Sequence, residues 1–142
     1  MDAYLKESRN LKRIDDAQRR NRLLHQGKVD IVAFINRLPK TAHDLTSLVV
    51  DVPVASDHLI VASVTGLYRE REQQQKTIRY FQRVFIIVPF NSGFCIVNEQ
   101  FHVMCATSEQ AKNAFKGVFI ISVYCEYLVI SKLNSISFKT MK

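Results

Sequence analysis

The sequence has no tryptophan and little glycine, proline or cysteine, and the shortages of glycine and cysteine each exclude a class of protein. It has four glycines, none spaced as GxGxxG or GxxxxGK[ST], which excludes a glycine-rich phosphate-binding loop. The three cysteines form no CxxC pair and the four histidines are scattered, so we expect no disulfide framework, metal site or cofactor. This cysteine usage is typical of a reducing compartment, the nucleus or the cytoplasm.

Long hydrophobic segments are also missing. The longest apolar run, Val118 to Ile130, is shorter than the roughly 20 residues that a membrane span needs, and Glu126 lies inside it. Met1 is followed by a polar, charged stretch without an apolar core, so the sequence predicts no secretory signal. We therefore expect no membrane span.

The composition that is present suits one domain with a basic surface. The chain has 142 residues, of which 47% are apolar, enough for one hydrophobic core. Lys and Arg outnumber Asp and Glu by 20 to 13, and the excess lies before residue 45 and after residue 115. Such a surface favours an acidic or nucleic-acid neighbour, but it is equally consistent with a role in solubility alone.

The amino-terminal third predicts an arm followed by one helix. Residues 1–27 are polar and basic, which indicates an irregular arm with one or two helical turns. From Lys28 to Leu38 the apolar residues recur at the i, i+3, i+4 spacing of a helix that faces a core. Pro39 then ends the helix.

The middle of the chain predicts an antiparallel sheet. Beyond Pro39 the apolar period changes to two, and β-branched and aromatic residues form four blocks. Short links with turn-forming residues join these blocks, so the expected fold is α+β, a curved four-stranded meander packed on one helix. The predicted strands are Thr46 to Val54, Leu59 to Arg69, Ile78 to Val88 and Phe94 to Cys105.

The carboxyl-terminal part predicts a short helix and then a tail of different composition. Thr107 or Ser108 can cap a helix over Ser108 to Phe115, which completes a core of residues 28–115. Residues 116–142 form a divergent apolar and basic tail.

The four strands carry apolar residues at both parities, which indicates that both faces of the sheet are covered. One helix covers one face only. A partner subunit is the simplest cover for the other face, and upstream helices or the tail are the alternatives.

Side chains with catalytic chemistry are present without a catalytic arrangement. His43 and Asp44 are adjacent after the helix, where capping and surface-turn roles are the expected ones. We therefore predict no enzyme. The basic arm could contact RNA phosphates weakly, and its candidates are Lys12, Arg13, Arg19, Arg20 and Arg22.

The order of helix, Leu-Pro and four long strands resembles the second half of the nuclear transport factor 2-like cone fold. More specific stretches resemble the TAP/NXF family of nuclear RNA export factors, in one collinear run over residues 4–115. They include Ser8-Arg9-Asn10-Leu11-Lys12, Val32-Ala33-Phe34-Ile35-Asn36, Leu38-Pro39-Lys40-Thr41, Val49-Val50-Asp51 and Ser92-Gly93-Phe94-Cys95-Ile96-Val97-Asn98-Glu99. The family's first two helices would precede Met1, so the expected cone is partial.

The resemblance implies a heterodimer with a small nuclear transport factor 2-related export protein. Arg9 and Asp51 match the positions at which the family forms ion pairs with that partner. Strand parity places Asp51 with Val49 and Pro53 on one face. The other face would carry Leu48, Val50, Val52 and Val54.

The resemblance also implies a shallow pocket for the Phe-Gly repeats of nucleoporins, at Val88, Pro89 and Phe94. The turn here is one residue shorter than in the family, and Phe94 replaces the usual Leu. Phe94 is alternatively a core residue.

The implied function is a non-enzymatic module of an mRNA export factor, in the nucleus or at the nuclear pore and shuttling to the cytoplasm. Three alternatives stay open. They are a related module used in small-RNA-guided silencing, a basic RNA-binding adaptor, and a small-molecule enzyme built in the same cone.

Overall fold

A computed structural model describes residues 4–13, 23–72, 77–117 and 120–121. The elements, in chain order, are β1 (Tyr4–Arg13), β2 (Leu24–Gln26), α1 (Lys28–Arg37), β3 (Thr41–Ala55), β4 (Ile60–Glu70), β5 (Arg79–Phe90), β6 (Gly93–Cys105), α2 (Ser108–Asn113) and β7 (Ile120–Ile121).

The described strands form one mixed sheet in the order β2-β1-β6-β5-β4-β3-β7. Strands β3 to β6 are consecutive antiparallel neighbours, which confirms the α+β prediction with a four-stranded meander. Strands β4 and β5 have, over most of their length, the alternating burial of a strand with one face on a core. The predicted limits differ from the observed ones by a residue or two, except at the start of β3.

Helix α1 confirms the predicted helix. Gly27 precedes it with a φ of 87°, a left-handed conformation that glycine adopts without strain. Ile31 and Ile35, one turn apart, are both buried against the sheet. Leu38 is already extended, as expected for the residue before a proline.

The hydrophobic core lies between α1 and one face of the sheet. Gly66 supports close packing there, because a Cβ at this position would lie 2.6 Å from Cδ2 of Leu48. The buried core residues are Ile31, Ile35, Ile60, Ala62, Val64, Tyr68, Phe81, Phe85, Ile87 and Ile96.

The prediction of an irregular arm is wrong for Tyr4–Arg13, which form β1, and for Leu24–Gln26, which form β2. Strand β1 lies parallel to β6, and the Ser8 hydroxyl donates to the Ile96 carbonyl oxygen. The Gly27 N–H donates to the Ser8 carbonyl oxygen at 2.8 Å, which fixes the start of α1 beside β1. Because these contacts join residues far apart in sequence, local composition could not reveal them.

The prediction of surface-turn roles for His43 and Asp44 is also wrong. Both residues lie inside β3, with 7% and 2% of their surface exposed. Asp44 keeps a capping type of chemistry, since its Oδ1 accepts hydrogen bonds from the N–H and hydroxyl of Thr46. The pairing of β3 with β4 shifts its register between Asp44 and Val49. The observed strand therefore includes residues that precede the apolar block from which its start was predicted.

The segment after β6 returns across the sheet to β3. Helix α2 begins with a capping box, in which the Thr107 hydroxyl accepts from the Gln110 N–H and the Gln110 side chain accepts from the Thr107 N–H. This confirms the predicted Thr107 cap. Of the predicted tail 116–142, only residues 116–117 and 120–121 lie in the described part, and β7 pairs with β3.

Candidate partner-binding face of the sheet

The strand register defines a second face of the sheet, opposite the core and α1. Side chains alternate between the two faces along each strand, and residues that pair across neighbouring strands lie on the same face. We call this side the outer face. Its residues on the meander are Asp44, Val49, Asp51, Val54, Val61, Ser63, Thr65, Leu67, Tyr80, Gln82, Val84, Ile86, Asn98, Gln100, His102 and Met104.

The outer face is apolar along its centre and open at one side. Val61, Val84 and Ile86 are half-buried neighbours in the middle of the sheet. Val49 and Val54 on β3 are 53% and 43% exposed. A contiguous apolar surface of this kind is typical of a protein-binding face, whereas isolated exposed apolar residues need no explanation.

One end of the outer face is covered by the chain itself. The Phe115 N–H donates to Asp44 Oδ2 at 2.9 Å, and the Arg69 guanidinium carbon lies 4.5 Å from the centroid of the Phe115 ring. Burial raises the pKa of Asp44, but the hydrogen bonds from Phe115 and Thr46 outweigh it, so the pKa lies below its usual value. The charged carboxylate of Asp44 thus anchors Phe115, and with it the segment after α2, to β3.

Asp51 lies on the outer face, where the sequence predicted it. It is exposed and pairs with Ser63 of β4. The predicted side of Val54 is wrong, because a register shift between Asp51 and Val54 brings Val54 opposite Val61 on the outer face. The bulge widens the exposed apolar surface around the carboxylate.

Arg9 lies in β1, beside Gln26 of β2 and Asn98 of β6. Its side chain is outside the described residues. Four strand spacings separate β1 from β3 in the sheet, which is about 19 Å at the usual inter-strand distance. The structure therefore does not bring Arg9 and Asp51 together, and a partner would meet them at separate places.

The residues predicted to bind nucleoporins gather at the end of the β5–β6 hairpin. Pro89 pairs with Phe94, and Val88 pairs with Cys95. Pro89 is exposed, while Phe94 is half-buried and packs against the core cluster. Sequence reasoning missed Phe90, which is 47% exposed beside the turn. The available signal was its place directly before the turn-forming residues Asn91-Ser92-Gly93.

Some of the candidate RNA-contacting residues lie in β1, and the others lie outside the residues that the structure describes. Lys12 and Arg13 lie in β1 opposite Phe101 and His102 of β6. Arg19, Arg20 and Arg22 lie outside the described residues.

A buried ion pair between Arg83 and Glu99 lies on the core side of the sheet. Arg83 Nε lies 3.3 Å from Glu99 Oε1, with 9% and 0% of the two side chains exposed. The Arg83 guanidinium carbon also lies 4.3 Å from the centroid of the Phe101 ring. The described interior is therefore not wholly apolar. The two opposite charges compensate one another, so the pair has a structural explanation as a buried salt bridge.

His43 lies near the Arg83–Glu99 ion pair. Its ring is 5.3 Å from that of Phe81 and 5.8 Å from that of Tyr68. Burial and then the charge of Arg83 lower the pKa of His43 from 6.5 to about 4. Burial, followed by the charge of Glu70, raises the pKa of Tyr68. Both side chains are consequently neutral at pH 7.

We expect the protein to lose stability between pH 6.5 and pH 4 through His43. The unfolded chain takes up the proton near pH 6.5 and the folded chain near pH 4, so acid favours unfolding in this interval. The shift corresponds to roughly 3 kcal/mol at pH 4. Urea unfolding of the wild type and His43→Leu at pH 7 and pH 4.5 measures it.

The His43→Leu variant should lose less stability on acidification than the wild type. His58→Gln, at an exposed loop position, is the matched control and should follow the wild type. Equal acid sensitivity of wild type and His43→Leu would show that His43 is not buried as described.

Across the described ranges, His, Cys, Asp and Glu form no cluster of three that could hold a metal ion. No helix in the same part of the chain is long and apolar enough to cross a membrane.

Comparison with known proteins places these features in a family. The family model described as "Nuclear RNA export factor, NTF2 domain" matches residues 1–104. Human nuclear RNA export factor 2 is 39% identical over 114 residues, which cover 79% of this chain and 18% of that protein. Human nuclear RNA export factor 3 is 37% identical, with coverage of 78% and 21%. The chain thus spans about a fifth of the length of these relatives.

Solved structures give the same fold. Nuclear transport factor 2 from Cryptosporidium parvum has a TM-score of 0.55 at 24% identity, covering 72% of this chain and 74% of that one. A structure titled as the C. albicans Mtr2-Mex67 M domain complex has a TM-score of 0.57 at 15% identity, covering 75% and 83%. The likeness at these identities establishes a nuclear transport factor 2-like fold.

Proposed function

The chain belongs to the nuclear RNA export factor family, and we propose that it is a non-enzymatic module that forms a heterodimer through its outer face. The partner is a small nuclear transport factor 2-related export protein. The resulting pair serves RNA export from the nucleus.

The observation that carries the proposal is the exposed apolar surface of β3, β4 and β5 around Asp51. Val49 and Val54 are both exposed, on either side of this carboxylate. A partner with the same fold offers a sheet of similar twist, and two twisted sheets pack face to face about 10 Å apart. Burial of the apolar centre would supply affinity, and the charge would supply specificity.

The comparisons support a heterodimer over a self-contained module. The solved C. albicans neighbour is titled as a complex of two proteins, and the family model is an NTF2 domain. The resemblance noted in the sequence further implies that Asp51 on β3 and Arg9 on β1 stand at positions where the family forms ion pairs with a partner.

Contact with nucleoporin Phe-Gly repeats at the β5–β6 hairpin is part of the same proposal. Pro89 and Phe90 are exposed there, and Val88 and Phe94 flank them. Exposed apolar side chains around an aromatic ring suit a phenylalanine ligand. This hairpin lies away from the centre of the outer face, so both partners can bind at once.

Charge reversal at Asp51 tests the proposed interface. We expect Asp51→Arg to weaken capture of the small export protein by roughly 10- to 100-fold, since each unpaired interfacial charge costs a few kcal/mol. Arg9→Glu should have a similar effect. Affinity is measured by titration calorimetry with the purified partner.

Two matched controls separate the interface from net charge. Asp57→Arg changes an exposed residue in the β3–β4 loop, and Lys6→Glu changes an exposed residue of β1. Both should retain wild-type affinity. Undiminished capture by Asp51→Arg and Arg9→Glu would refute the assigned interface.

A further inference from the structure

The sequence of β1 does little to fix the register of this strand in the sheet. Neither set of alternate residues along Tyr4–Arg13 is predominantly apolar. The pairing of β1 with β6 shifts register between Tyr4 and Arg9 and then runs regularly to Arg13. Because a slip of one residue turns every side chain to the other face of a sheet, the place of Arg9 depends on contacts made where the regular pairing begins.

Ser8 lies at that point, directly before Arg9. It is 0% exposed, and its hydroxyl donates to the carbonyl oxygen of Ile96 in β6, a residue of the buried core cluster. The Ser8 carbonyl oxygen accepts a hydrogen bond from the Gly27 N–H at 2.8 Å. Ser8 thus joins β1 both to β6 and to the start of α1.

The surroundings of Ser8 admit no other register of β1. Gly27 has a φ of 87°, and a Cβ at this residue would lie 3.1 Å from the Lys6 carbonyl oxygen, so the backbones of β1 and α1 meet closely there. A slip of β1 by one residue would break both hydrogen bonds of Ser8. It would also bring the charged Glu7 or Arg9 to the buried place of Ser8, which costs free energy.

We propose that Ser8 is a positioning residue of the partner interface, which fixes the register of β1 and so holds Arg9 on the outer face. In this register Arg9 pairs with Asn98, an outer-face residue of β6. The register of β1 rests on these contacts alone, whereas its consequence for the partner rests also on the proposed function. Loss of the Ser8 hydroxyl therefore acts on the partner through Arg9.

Ser8→Ala in the full chain tests the effect on the partner. We expect affinity for the purified small export protein to fall by about 10-fold, because Arg9 is no longer held in place for the ion pair that the proposed function assigns to it. The matched control is Ser56→Ala, which removes a hydroxyl that bonds Leu59 in the β3–β4 turn. The control should keep wild-type affinity. Titration calorimetry measures both variants, and an unchanged affinity of Ser8→Ala would overturn the proposal.

A double-variant cycle separates positioning from general damage to the fold. Since Ser8 acts through Arg9, the variant Ser8→Ala with Arg9→Ala should bind the partner like Arg9→Ala alone. Combined with Asp51→Asn, at the other side of the outer face, the loss caused by Ser8→Ala should multiply in full. A full further loss in both combinations would overturn the positioning role and assign Ser8 to fold stability alone.

Amide hydrogen exchange gives a readout that needs no partner. In Ser8→Ala the amides of residues 9–13 should exchange about tenfold faster than in the wild type, while those of β5, at the centre of the sheet, keep their protection. Unchanged protection of residues 9–13 would overturn the proposal. Faster exchange in a chain that never binds the partner would keep the register role and refute the heterodimer, so the two failures are distinguishable. If Ser8→Ala does not fold, Ser8→Cys, with its weaker S–H donor, is measured in the same way.

Discussion

Val84→Asp is expected to abolish capture of the small partner while leaving the domain folded. Val84 lies at the middle of the outer face, paired with Ser63 of β4 and Gln100 of β6. An aspartate there would be hydrated in the free chain and buried without a counter-charge in the complex, which costs several kcal/mol. We expect affinity to fall by more than about 100-fold, which is close to 3 kcal/mol.

A control variant with the same chemical change lies on the opposite side of the molecule. Val29 is 83% exposed on α1, so Val29→Asp alters neither the outer face nor the core. It should bind the partner like the wild type. Pull-down followed by titration calorimetry measures both variants, and equal loss of binding in the two would show that the outer face is not the interface.

Arg83→Leu is expected to destabilise the fold by about 3–5 kcal/mol, the usual cost of leaving a buried charge without its partner. The Glu99 side chain is 0% exposed and lies 3.3 Å from Arg83 Nε, so its carboxylate would remain in an apolar interior. The variant would also lose the guanidinium packed on Phe101. Urea unfolding at pH 7 measures the free energy of unfolding.

The double variant Arg83→Leu with Glu99→Leu distinguishes charge compensation from packing. Removing both charges leaves no buried carboxylate that has lost its guanidinium, and such replacements are often neutral or stabilising. We expect the double variant to recover most of the stability lost in the single one. If Arg83→Leu does not fold, Glu99→Gln keeps the shape and tests the charge alone. A double variant as unstable as the sum of two single losses would contradict the compensation.

The meander and the helix could be predicted because their signals are local. β-branched and aromatic blocks joined by short links determine β4, β5 and β6, and Leu38-Pro39 determines the end of α1. Strand β1 gave no such signal. Its sequence is polar, and its stability comes from pairing with β6, whose Ile96 is 88 residues from Ser8.

The residues of the outer face could be predicted from the sequence only where no register shift interrupts the alternation of side chains along a strand. Asp51 and Val49 fall on the outer face because no shift separates them, whereas the shift beyond Asp51 moved Val54 to the same side. The Arg83–Glu99 pair was missed because both residues were interpreted as parts of apolar strands. The available signal was Arg83 at the same parity as Phe81 and Phe85, which a single exposed strand face would not produce.

The most direct test of the central claim is the mass of the assembly formed by the unmodified chain with the small export protein. Co-expression followed by size-exclusion chromatography with light scattering should give a one-to-one complex that persists on dilution to micromolar concentration. A chain that elutes alone, as a stable monomer beside the free partner, would contradict the claim that the outer face is a heterodimer surface.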